Sequence, residues 1–166
     1  MNTALIVILL VLVAAGPIMW LRPTPAQKKQ IRLRQLAMSK GMKVELRAPP
    51  GEANTDDSTF GWVAYTLCRD PGSIKGRKPR QWTLFRSGYE HELNYYGVWR
   101  WLGGKNVSLG GGVPKLLDAL PECVSAVSVN PGGGTVFWRE QGDEAEVLAI
   151  ESALAAVLQQ ELDQGY

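Results

Sequence analysis

His91 is the single histidine of the 166-residue chain and stands between Glu90 and Glu92. Histidine and glutamate are metal-ligand types. However, adjacent residues on a strand point to opposite faces and no second group of ligands lies nearby, so no metal is expected. Ser-His-Asp or Cys-His catalysis would rest wholly on His91, and the surrounding sequence holds no nucleophile elbow. Cys68 and Cys123 match no metal or redox spacing, and in a reducing compartment such scattered cysteines are ordinary semi-buried small residues. Gly103-Gly104-Lys105 and Gly110-Gly111-Gly112 lack the spacing of a phosphate-binding loop and its strand-loop-helix setting. No catalytic residue and no cofactor is expected, and the chain reads as a protein that is not an enzyme.

The residues with most to offer are aromatic. Trp62, Trp82, Trp99, Trp101 and Trp138 all fall in the C-terminal three quarters of the chain. Trp99 and Trp101 share a face if they lie on a strand, and Tyr95 falls on the same alternation, so Tyr95, Trp99 and Trp101 form a candidate aromatic binding face. Alternatively, the same rings pack as core under the C-terminal helix. Exposed beside Arg77, Lys78 and Arg80, they would make a ligand or peptide groove of a membrane-tethered sensor module.

What would position these residues begins at the N-terminus. Thr3 to Leu21 reads TALIVILLVLVAAGPIMWL, without a charge. As a helix it spans roughly 27 to 29 Å, close to the hydrocarbon thickness of a bilayer. Trp20 falls at the interface, where its ring is buried and its N–H stays wet. A secretory signal needs a basic start, which Met1-Asn2-Thr3 does not supply, and Pro17 after Ala14-Ala15-Gly16 disfavours cleavage. Residues 1–21 are therefore expected to be an uncleaved anchor. From Arg22 to Arg47 eight basic residues face one acidic residue, a charge of +7, while the rest of the chain carries −5. Basic residues stay on the cytoplasmic side, so the N-terminus is expected in the periplasm and the C-terminal domain in the cytoplasm of a bacterium. The split argues against nucleic acid and for anionic lipids of the inner membrane or a membrane-protein complex, touched by Arg22, Lys28, Lys29, Arg32 and Arg34.

Three motifs in this stretch have a familiar order: Leu21-Arg22-Pro23, Gln27-Lys28-Lys29 and Gly41-Met42-Lys43-Val44. Over about residues 1–46 the chain resembles the YajC family, small accessory subunits of the Sec translocon with one membrane helix, a basic helix and a small cytoplasmic β-rich domain. The resemblance implies a protein-transport accessory with the translocon as partner. It stops at Arg47-Ala48-Pro49-Pro50-Gly51, where that family has a Gly-Gly turn.

Residues 22–41 are expected to form a basic juxtamembrane helix stopped by Gly41, and 42–166 a small domain. Strands are expected at Met42–Leu46, Phe60–Leu67, Gln81–Arg86 and Asn94–Leu102. Val113–Leu120 reads as a short helix opened by Pro114 and stopped by Pro121. Val124–Val129 and Thr135–Arg139 form a hairpin around Asn130-Pro131-Gly132-Gly133-Gly134. Asp143 and Glu146 make a capping box for a final helix whose Val147, Ile150, Leu154, Val157 and Leu158 share one side. The fold class is α+β, a mainly antiparallel sheet of five or six strands packed by this amphipathic helix.

Overall fold

The computed structural model describes residues 3–4, 24–50, 61–74, 80–88, 94–102, 109–110 and 112–163. The chain divides into two units, residues 1–32 and 33–166. In the first, Thr24 and Gln27 cap each other's backbone: Thr24 N–H donates to Gln27 Oε1 at 2.8 Å, and Thr24 Oγ1 accepts the Gln27 N–H at 3.3 Å. This capping box opens helix α1 (Pro25–Ser39), on which Lys28, Lys29 and Arg32 are exposed. Apart from Thr3 and Ala4, the expected anchor lies outside the described residues, as do Trp20 and Arg22; among the described residues no helix is long and apolar enough to cross a membrane.

The second unit is α+β. Its sheet contains β1 (Met42–Glu45), β2 (Val63–Cys68), β3 (Trp82–Arg86), β4 (Trp99–Trp101), β5 (Val124–Asn130) and β6 (Gly133–Trp138). The spatial order is β1-β2-β6-β5-β3-β4, with every neighbouring pair antiparallel. Among the described residues the helices α2 (Val113–Ala119) and α3 (Glu144–Asp163) and the end of α1 accompany it. Gly41, at φ +78°, supplies the left-handed stop that turns the chain from α1 into β1.

Alternation along the strands sorts the side chains into two layers. Tyr65, Leu84, Trp99, Val127, Val136 and Trp138 point towards the helices, where they meet Leu33 and Ala37 of α1, Leu117 of α2 and the apolar side of α3. The five α3 positions expected to share a face are all buried. Each contributes about 1.5–3 kcal/mol relative to exposure, so docking on the sheet outweighs intrinsic helix propensity. The capping box is formed: Asp143 Oδ1 accepts the Ala145 N–H at 2.9 Å, and Glu146 Oε2 accepts the Asp143 N–H. On the opposite face Trp62, Ala64, Phe85, Ala126 and Phe137 make a second apolar cluster that, among the described residues, contains none from a helix.

Two local expectations are corrected. The aromatic run 94–102 is not one strand, because Gly97 at φ +49° makes a tight turn in which Trp99 N–H donates to Tyr96 O at 2.8 Å, leaving only Trp99–Trp101 in the sheet. In the hairpin, Gly133 and Gly134 belong to β6 rather than to the loop. A Cβ on Gly133 would stand 2.2 Å from Leu67 O, so glycine is what lets β6 approach β2 there.

Candidate functional site

The structure brings Tyr95, Trp99 and Trp101 together, but not as an open platform. Trp99 is 3% exposed and belongs to the helix-side core. The guanidinium of Arg86 lies 4.7 Å from the centre of its ring. Arg86 also donates to the carbonyls of Val124 (2.9 Å) and Pro121 (3.1 Å), tying β3 to the connection between α2 and β5. Burial pulls the Arg86 pKa down, though a guanidinium remains charged at any physiological pH. Tyr95 and Trp101 are half-buried and meet edge to face at 5.1 Å. The fourth ring of the group, Tyr96, is exposed and donates its hydroxyl to Asp118 at 2.8 Å. Arg80 is half-buried; Arg77, Lys78 and the Glu90-His91-Glu92 triplet lie outside the described residues.

The basic residues divide. Lys28, Lys29 and Arg32 are exposed, whereas Arg34 turns into the folded unit. Its Nη2 donates to Glu140 Oε2 at 2.6 Å and its Nε to Oε1 at 2.9 Å, a bidentate pair. Tyr65 donates its hydroxyl to the same Oε1 at 2.8 Å. Glu140 has a side chain only 1% exposed and φ +53°, a left-handed backbone that costs a non-glycine residue about 1–2 kcal/mol. The Glu140 hydrogen bond, above all, raises the Arg34 pKa; burial first and the carboxylate second hold the Tyr65 hydroxyl far above its ordinary range. The three groups are matched as donor and acceptor, so the arrangement acts as a clamp between α1, β2 and the residues after β6. Glu140 and Tyr65 carry no sequence motif, and only the alternation Tyr65/Trp138 hinted that they sit near one layer.

A feature that sequence reasoning missed lies on the helix-free face. Three exposed arginines cover the apolar cluster there, Arg139 over Trp62 (4.7 Å), Arg47 over Phe137 (5.5 Å) and Arg100 over Phe85 (6.0 Å). Beside them the sheet register aligns Lys43, Thr66, Thr135, Ser128 and Thr83 in one row across five strands. Hydroxyls pair at 2.9 Å between Thr66 and Thr135 and between Thr83 and Ser128. The signal was present in the alternation, since Phe85 and Arg100 occupy the odd places between Leu84 and Arg86 and between Trp99 and Trp101.

Cys68 is exposed at the end of β2, and Cys123 is half-buried with Sγ 3.7 Å from Glu146 Oε1. Among the described residues no group of three His, Cys, Asp or Glu side chains is placed to hold a metal ion. Compared with known proteins, the chain matches no family model, no curated protein and no solved structure.

Proposed function

We propose that this protein is a non-catalytic accessory or scaffold protein of the bacterial inner membrane. In this reading residues 1–21 are an uncleaved single-pass anchor and the α+β unit faces the cytoplasm. The carrying observation is the order of the chain: an uncharged apolar run from Thr3 to Leu21, then a strongly basic stretch whose helix ends inside a folded unit. The run is long enough to span a bilayer, and the basic residues after it set the orientation. Leu33 and Ala37 are buried in the core and Arg34 is held by Glu140, which makes the end of the basic helix part of the domain rather than a loose tether. Lys28, Lys29 and Arg32 remain free to meet anionic lipid or a membrane partner. The YajC-like motifs in this stretch support protein translocation as the process served.

Crosslinking of the full-length protein in intact membranes, followed by mass spectrometry, tests the assignment. Capture of translocon subunits, lost when Lys28, Lys29 and Arg32 are changed to Gln, is the expected result. Capture of an unrelated membrane complex would remove the Sec connection. Recovery of the protein in the soluble fraction would remove the anchor itself.

A further inference from the structure

We infer that the helix-free face of the sheet docks on the anionic surface of the membrane, with Lys43, Arg47, Arg100 and Arg139 against lipid phosphates; this rests on the membrane-anchored reading above. The folded unit gathers exposed basic side chains on the helix-free face of its sheet. All four of these basic side chains are exposed on the helix-free side, where Glu45, paired to Lys43 at 2.6 Å, is the accompanying acid among the described residues. The helical layer on the other side is mixed in charge: Asp118, Glu144, Glu146 and Glu151 stand with Lys115, with Arg34 and Lys40 at the end of α1, and with Arg86 beside Trp99. A flat sheet face that presents four exposed cations beside one acid is complementary to a negatively charged plane.

One detail favours a lipid surface over a nucleic acid. Trp62, Phe85 and Phe137 are 5%, 5% and 0% exposed beneath the guanidiniums, so no ring is free to stack on a base. The guanidiniums keep a planar, multiply donating face for phosphate oxygens while their stems cover the apolar cluster.

Cys68 lies on this same face and is exposed, which gives a reporter. Full-length protein carrying Cys123→Ser and an environment-sensitive fluorophore on Cys68 is reconstituted into vesicles of phosphatidylcholine alone or with phosphatidylglycerol, each doped with a headgroup-level spin-labelled quencher. Strong quenching is expected with phosphatidylglycerol and little without it. Each basic residue near an anionic surface is worth about fivefold, so Arg47→Gln, Arg100→Gln and Arg139→Gln together lower the docked-to-free ratio about a hundredfold and abolish the quenching, whereas the three Arg→Lys changes retain it. Quenching that ignores lipid charge, is lost equally in the Lys and Gln variants, or responds to added acidic peptide or single-stranded RNA instead would overturn the proposal. Vesicle flotation is run alongside: protein that floats with both lipid compositions but fails the quenching test refutes the docking face alone, and protein that floats with neither refutes the anchor.

Discussion

Glu140 grips Arg34 across 106 residues of chain, through a bidentate contact whose carboxylate is 1% exposed and whose guanidinium is 32% exposed. The asymmetry sets the outcome of mutation. Arg34→Ala strands a buried carboxylate and is expected to cost about 3–5 kcal/mol. Glu140→Ala leaves an arginine that can turn to water and a single buried tyrosine hydroxyl, for about 1–3 kcal/mol. Urea unfolding of both variants and of the double mutant checks the order, and the double mutant should lose less than the sum.

Tyr65 makes the clamp sensitive to alkali. Its pKa is raised in the folded state, so the stability it contributes is complete below the unfolded tyrosine value of about 10 and is lost as pH rises beyond it. The unfolded chain releases a proton there that the folded chain keeps, giving a fall of up to about 1.4 kcal/mol per pH unit. Arg34, also raised, changes in the same direction. Chemical denaturation at about pH 9 and about pH 11 should show a smaller loss for Tyr65→Phe than for the native chain.

Gly133 sits at φ +146° with Leu67 O 2.2 Å from the place of a Cβ. Gly133→Ala is expected to destabilise the domain by about 2–4 kcal/mol. In the neighbouring turn Gly132→Ala would meet only Asn130 Oδ1, at 3.2 Å, and should cost under about 1 kcal/mol. Thermal melts of the two variants separate a close backbone approach from an ordinary turn.

The two thiols should differ in reactivity. Burial, followed by the Glu146 carboxylate, pushes the Cys123 thiol up to about 11, while Cys68 is exposed. At about pH 8 iodoacetamide should modify Cys68 at least about tenfold faster than Cys123, because the thiolate is the nucleophile. Peptide mass mapping over time reads both sites at once, and equal rates would contradict the packing described for Cys123.

Local signals carried much of the fold. Gly41, Pro114, Pro121 and the Asp143/Glu146 pair mark helix ends by side-chain chemistry within a few residues, and each lies where that chemistry requires. The α3 face was legible because Val147 to Leu158 repeat at helical spacing. Gly97 was not legible as a turn, since aromatic neighbours on both sides read as one strand. Arg34 looked like its basic neighbours because its partner, Glu140, is 106 residues away. The arginine-covered face was hidden for the same reason: Arg47, Arg100 and Arg139 come from three distant segments, and only the folded sheet puts them on one face.

The most direct test of the anchored, cytoplasm-facing arrangement is the accessibility of Cys68 in membranes. Full-length protein carrying Cys123→Ser is treated with a membrane-impermeant maleimide in spheroplasts and in inverted inner-membrane vesicles. The arrangement predicts protein in the membrane pellet, no modification in spheroplasts and modification in inverted vesicles, slowed where the helix-free face is docked on lipid. Modification in intact spheroplasts, or protein recovered in the soluble fraction, would contradict it.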